Sequence, residues 1–452
     1  MKLLAFLMQT GGHIAGWRHP RAATAALTDI DYFTGLARTA ERGLFDAVFF
    51  ADYLGFPKSQ SADVFAGLET PKLDPLLILS AAAAVTSQVG LIATASTTYN
   101  EPFGIARRFA TLDHLSKGRA GWNIVTSTME HEAHNHGQAS HMAHGDRYRR
   151  AAEFVDVARK LWDSWGTGAM LADKASGRFT DTDRLSAIKH VGEHFRVEGP
   201  STVPRSPQGH PVLVQAGASA DGKAFAASCA EVIFTSHPSI ETARAFREEM
   251  HDLLAQFGRD AGSLKIMPAI TPVIGKTREE AASLKRELDD LIPLPIALDK
   301  LERLLGGLNL SAHDPDGPMP SLPPALLEGQ NSTRDRVVET IVRERPTIRA
   351  LALQVAGGRT SRTSVGTASD IADELQQWYE SGAADGFVIS PPFLPGGLED
   401  FVDEVVPELQ RRGLFRTAYE GVTLRDRLGL AQPESRFDSE PGQRLVPEVW
   451  DA

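Results

Sequence analysis

Two stretches of the chain carry residues arranged for chemistry. The first is Pro211–Ala230, PVLVQAGASADGKAFAASCA. Val212, Leu213 and Val214 form the short apolar run of a buried parallel strand. After Gln215 come only small residues, Ala216-Gly217-Ala218-Ser219, and Asp221 can cap a helix running through Lys223, Phe225 and Cys229. A loop of small residues entering a helix leaves backbone N–H groups pointing outward, a geometry that binds phosphate. Ser219 adds a hydroxyl donor. A tight turn with no ligand is the alternative, although a serine and two glycines exceed what a bare turn requires. Residues 217–223 also fit G-x-x-x-x-G-K, but position 224 is Ala, so the hydroxyl that would hold Mg²⁺ in a nucleotide-hydrolysing loop is missing. The phosphate then belongs to a cofactor with chemistry of its own.

The second stretch is Glu130–His144, with His131, His134, His136, His141 and His144. H-x-x-H at 131 and 134, or H-x-H at 134 and 136, opens a metal reading. Neither completes a known ligand spacing, and no acidic partner is clearly placed, so no metal is assigned. A solvated polar loop, or a site loop whose histidines hydrogen-bond a ligand, remain. His144-Gly-Asp-Arg-Tyr148 starts a helix, which sets His144 and Tyr148 one turn apart. No close carboxylate pair suggests glycoside hydrolysis, no G-x-S-x-G elbow an acyl nucleophile, and no G-x-G-x-x-G a dinucleotide site.

These residues must be positioned by a large scaffold. The chain has 452 residues, long for one ordinary domain but within reach of an α/β barrel with insertions. Its net charge of -11 argues against nucleic acid or an anionic membrane as partner. One cysteine, Cys229, permits no internal disulfide and fits a reducing cytoplasm. MKLLAFLMQTGG is too short in its apolar part for a signal-peptide core or a span, and reads as the first strand.

Strand-then-helix units recur along the chain. Strands are expected at Lys2–Gln9, Ala47–Phe50, Val89–Ala95, Ala120–Val125, Val212–Val214, Glu231–Thr235, Ile266–Ile274 and Gly386–Ser390. The count of about eight favours a TIM (β/α)8 barrel over an open sheet. Residues 1–416 read as the single barrel domain, with a turn-rich excursion at 166–210. A Pro-rich insertion at 292–346 breaks the rhythm and is too long for a plain connection, as lids often are. The rhythm resumes with Ile348–Val355. From Thr417 a polar tail with little periodicity forms a C-terminal extension, 417–452. In such a barrel chemistry sits at the C-terminal ends of the strands, where the sequence sets His13, Asp52, Thr97, Thr98, Asn100, Asn123, Thr126, Ser127 and Ser219.

Seven motifs spread over nearly the whole chain then resemble one family: WRHP at 17–20, FFADYLG at 49–55, TASTTYNEPF at 94–103, GWNIVTS at 121–127, HGDRYRRAAEF at 144–154, PRSPQGHPVLVQAGASADG at 204–222 and VGTASDIADEL at 365–375. The chain resembles the bacterial luciferase-like flavin monooxygenases, in particular the nitrilotriacetate, EDTA, dibenzothiophene-sulfone and long-chain alkane monooxygenases. The resemblance implies a TIM barrel using FMNH2 from a separate NAD(P)H:FMN reductase, with O2 as co-substrate and a flavin C4a-(hydro)peroxide as oxygenating species. It implies cofactor contacts at Asp52, Thr98, His144, Tyr148, Gly217, Ala218 and Ser219. It also suggests His144 and His13 as catalytic groups, Trp17 and Phe56 on the substrate side, and a homo-oligomer, dimer or tetramer. A hydride-transferring flavin or deazaflavin oxidoreductase, a non-catalytic flavin-binding protein and a metal-dependent barrel hydrolase are the alternatives.

Overall fold

The computed structural model describes residues 1–56, 62–69, 71–217, 219–322, 332–357 and 362–435. Eight parallel strands close on themselves: β1 (Lys2–Phe6), β2 (Ala47–Phe50), β3 (Gly90–Ser96), β4 (Ala120–Val125), β5 (Val212–Gln215), β6 (Val232–Thr235), β7 (Lys265–Ile274) and β8 (Gly386–Ile389). Each pairs with the next, and β8 returns to β1 through Lys2↔Gly386 to Ala5↔Ile389. The strands are short and apolar because both faces are covered, one by the barrel interior and one by helices.

Those helices include α1 (Ile30–Arg42), α2 (Pro75–Val85), α3 (Pro102–Leu115), α4 (His144–Asp163), α5 (Ala220–Cys229), α6 (Ile240–Gln256) and α7 (Arg278–Asp290). Their starts are set by local chemistry. The Asp29 side chain accepts from the Asp31 N–H at the head of α1, and Asp74 from the Leu76 N–H at the head of α2, where Pro75 needs no partner for its nitrogen. Asp221 was expected to cap α5. Ser219 does so instead, accepting from the Gly222 N–H, because an N-cap side chain reaches the donor three residues on. Asp221 stands in the first turn with its carboxylate left for another partner.

Side-chain alternation fills the barrel in layers. Leu4, Ala47, Ile92, Val212, Val232 and Met267 point inward, and above them Phe6 stacks on Phe49 with ring centroids 4.8 Å apart and lies 5.7 Å from Phe234. The lower end is closed by residues of the expected polar tail. Leu424, Leu428 and Leu430 join the interior layer. A Cβ on Gly90 would come within 2.6 Å of Leu424, so glycine is needed where the plug meets β3. Arg425, 2% exposed, pairs with Glu231 and with the His210 carbonyl. The tail thus contributes a barrel stopper through three buried leucines, Leu424, Leu428 and Leu430.

The excursion after α4 forms two small antiparallel hairpins, Met170–Asp173 with Arg178–Thr180 and His190–Val191 with Arg196–Val197. The insertion after α7 contains helix α8 (Leu294–Leu304), against which α9 (Ile348–Gly357) packs. Ile348–Val355 was expected to resume the barrel rhythm. It is helical because Ile348, Leu351, Ala352 and Ala356 fall on one 3.6-residue stripe, buried against α8. The added strand is Arg362–Gly366, paired with the far half of β7. The α8–α9 pair also buries Ile14, Ala15 and Val64, from the loops after β1 and β2, so the insertion lies at the C-terminal end of the barrel. Among the described residues no helix is long and apolar enough to cross a membrane.

Candidate active site

The loop entering α5 meets the start of α4. A Cβ on Gly217 would lie 2.4 Å from the Gln215 amide nitrogen and 2.9 Å from the Gly222 Cα. A Cβ on Gly222 would lie 3.0 Å from the Tyr148 hydroxyl and 3.1 Å from the Ser219 hydroxyl. Glycine at both places lets backbone and hydroxyls crowd around one helix N-terminus, the donor set an anion needs. Gln215 holds the turn by accepting from the Gly217 N–H at 2.6 Å. His144 pairs through Nδ1 with Asp221 at 2.9 Å, its ring 5.1 Å from that of Tyr148, which in turn packs 5.8 Å from Phe225. The structure therefore brings His144, Tyr148, Gly217 and Ser219 together. Ala218, expected in the same loop, lies outside the described residues.

Asp52 and Thr98 stand at the ends of β2 and β3. Burial pushes the Asp52 carboxyl up to about 6, against the pull of Lys72 and of the Tyr53 N–H, which donates to it at 2.9 Å. The Thr98 hydroxyl donates to the Thr126 carbonyl at 2.7 Å, and its N–H donates to Ser96 Oγ at 3.1 Å. Ser96 is 2.9 Å from Ser127 Oγ, which donates to Glu132 at 3.2 Å. Glu132 is 3% exposed and also accepts from the N–H groups of Leu54, Thr128 and Met129. One buried carboxylate thus ties the loop after β2 to the ends of β3 and β4. Glu132 sits inside the histidine-rich stretch, on a six-residue helix, Glu130–Asn135, too short to show a periodic buried face. The neighbouring histidines divide their work. His136 stacks on Tyr99 at 4.6 Å and bonds the Glu132 carbonyl, and His141 bonds the Tyr99 hydroxyl.

His13 and Trp17 follow β1. His13 is 3% exposed; its Nδ1 accepts from the Ala15 N–H at 3.2 Å, so Nε2 carries the proton and faces Asp289 of α7 at 3.3 Å. Although burial opposes it, the bonds from His13 and Lys285 hold the Asp289 carboxyl below the usual carboxylate range. Both ring nitrogens of His13 are therefore engaged within the protein. Trp17 has its indole N–H buried without a protein acceptor. Phe56 is 54% exposed, edge-on to Phe65 at 5.6 Å, and lines a cleft of about 440 Å³ with Tyr53, Leu54, Pro71, Lys72 and Asn135. The Lys72 ammonium lies 4.2 Å from the centre of the Tyr53 ring.

Residues 6–385 match the family of luciferase-like monooxygenases. The chain belongs to this family. As a luciferase-like monooxygenase it is similar along its whole length to enzymes of named activity. It is 48% identical to the N-acetyl-S-(2-succino)cysteine monooxygenase of Bacillus subtilis (strain 168), over 97% of this chain and 98% of the relative. It is 47% identical to nitrilotriacetate monooxygenase component A of Aminobacter aminovorans, over 96% of this chain and 97% of the relative. Its fold superimposes on the crystal structure of riboflavin lyase with modified FMN and substrate riboflavin, with a TM-score of 0.83 and 34% identity over 97% of this chain and 98% of that one. The luciferase-like fold expected from the motifs and the barrel traced from the strands are thus one architecture.

Proposed function

We propose that this luciferase-like monooxygenase uses reduced FMN, supplied by a separate NAD(P)H:FMN reductase, and O2 to oxygenate a small organic substrate. The observation that carries the reading is the convergence on one barrel end of a Ser219-capped helix N-terminus flanked by two tightly approached glycines, with Tyr148 and His144 beside it. That donor set suits the flavin 5′-phosphate, held by backbone N–H groups and the Ser219 and Tyr148 hydroxyls. Asp52 and Thr98, on neighbouring strand ends, would face the ring system. Bound reduced flavin supplies the electrons that activate O2.

The residues of this chain then have distinct duties. The aromatic floor of Phe6, Phe49 and Phe234 gives the ring an apolar base and keeps water from beneath it. The insertion built on α8 and α9 covers the loops after β1 and β2 and is assigned to exclude water from above. Asp221 accepts from or orients His144, which is left one ring nitrogen to hold a proton toward the reacting centre. His13, with both nitrogens engaged, acts by anchoring the loop of Trp17 to α7 rather than by proton transfer. The cleft of Tyr53, Phe56 and Lys72 receives the substrate, with Lys72 opposite an anionic group. The carboxylates of nitrilotriacetate and of a succinylated cysteine, the compounds named for the two relatives, are of this kind.

Anaerobic titration with FMNH2, followed by mixing with O2 and carboxylated thioethers or tertiary amines, tests the reading. Oxygen uptake should match product formed, with little H2O2 released. Absence of FMNH2 binding, or hydride transfer to substrate without O2 uptake, would overturn it.

A further inference from the structure

Resting on the flavin reading above, we propose that Arg150 is a positioning residue for the flavin site: braced on Phe195 of the hairpin His190–Val191 with Arg196–Val197, it holds in place the loop that carries Thr98 and Tyr99. Arg150 lies on α4, and its side chain is only 15% exposed. One edge of its guanidinium donates twice to that loop. Nε bonds the Thr97 carbonyl at 3.2 Å, and Nη2 bonds the Asn100 carbonyl at 3.3 Å. Among the described residues no other donor reaches either oxygen. Thr98 and Tyr99 stand between these two bonds, the Thr98 hydroxyl donating to the Thr126 carbonyl beyond β4. The two ends of the loop are thus fixed from α4 and its middle from the neighbouring strand end.

An ion pair does not account for this arginine. The carboxylate within ion-pair distance, Glu101, is 3.8 Å away and 80% exposed, so solvent weakens the attraction. The guanidinium instead lies over the Phe195 ring, its carbon 4.3 Å from the ring centre. Phe195 is 5% exposed and edge-on to Phe154 of α4 at 5.5 Å. Glu153, one turn on from Arg150, latches the hairpin to α4. It accepts from the His194 and Phe195 N–H groups, each at 2.9 Å, and lies 3.0 Å from His190 Nε2. Stacking on Phe195 sets the plane of the guanidinium, and that plane aims one edge at the two carbonyls. A planar fork can stack and donate at once, which a lysine ammonium cannot. The turn-rich excursion after α4 thereby gains a duty at the barrel mouth: it orients the arginine that orients the Thr98 loop.

The test uses the full chain and measures binding of FMN and of lumiflavin, which lacks the phosphate, by fluorescence. Arg150→Met and Arg150→Lys both keep an aliphatic stem on Phe195 and remove the fork. Each should raise the Kd about tenfold, near the worth of one hydrogen bond to a charged group. The loss should be equal for FMN and lumiflavin, because Thr98 faces the ring while the phosphate loop at Ser219 is untouched. Millimolar guanidinium should restore lumiflavin binding to Arg150→Ala. Phe195→Leu should show part of the loss, and Arg150→Met with Phe195→Leu no more than Arg150→Met alone, since the two act in series. Lumiflavin binding like wild type in both Arg150→Met and Arg150→Lys would overturn the proposal. So would loss for FMN alone, which would mean that only the α4 N-terminus beside the phosphate had moved, and so would additive losses in the double variant. A wild-type chain that binds no flavin, or a Thr98→Val chain that binds lumiflavin unchanged, would instead refute the reading on which the proposal rests.

Discussion

Replacing Asp52 by Asn gives a direct measure of how strongly the barrel mouth is shielded from water. Burial raises this carboxyl from its ordinary 3.8 to about 6. The folded chain therefore holds the proton more tightly than the unfolded chain. The two states are equivalent when both are protonated, and the folded state loses stability as pH rises from near 4 through 6. At about 1.4 kcal/mol per tenfold in proton affinity, the full penalty is about 3 kcal/mol, and about half of it falls between pH 5 and pH 8. Asp52 is partly open to solvent, so screening trims this half to about 1 kcal/mol. Asp52→Asn abolishes the titration. Urea unfolding of flavin-free wild type and variant at pH 5 and pH 8 should show the variant gaining about 1 kcal/mol on wild type at the higher pH. The affinity for FMNH2 should change with pH near 6 in wild type and be flat in the variant. Parallel stability curves from pH 5 to 8 would refute the argument that desolvation sets this carboxyl.

Other perturbations probe the remaining parts. Ser219→Ala removes both the α5 cap and a phosphate donor; it should cost about 1 kcal/mol of stability and weaken FMN several-fold, while riboflavin binding stays unchanged, as fluorescence titration will show. Glu132→Gln leaves four donors sharing one neutral amide and should destabilise by about 2–4 kcal/mol, with a higher FMNH2 Kd, read by thermal melting and titration. Leu424→Ala opens a cavity at the lower stopper and should cost about 2–5 kcal/mol with kcat unchanged at a temperature where both proteins are folded. Lys72→Met should lower kcat/KM for a carboxylated substrate about tenfold or more while leaving its methyl ester unaffected, a ratio of the size expected for one charge-assisted bond.

The periodic and local features of this chain were readable from residues alone. Short apolar runs spaced by helices gave the strands, because a parallel strand buried on both faces must be apolar throughout. The loop from Gln215 to Lys223 was legible as an anion site because helix termini and glycines act over a few residues. His144 and Tyr148 were placed together by one helical turn. What needed the fold were contacts between distant segments. Asp52 and Ser219 are remote in sequence, and which strands stand between them on their shared barrel end is decided by the parallel pairing of β2 through β5. The Glu132 tie depends on which neighbours fill the space around a side chain, which no local pattern encodes. The pairing of His13 with Asp289 likewise joins residues 276 positions apart and needed the fold. Residues 417–430 looked like a tail because three leucines make no periodic run; only the open lower end of the barrel gives them an apolar place to go.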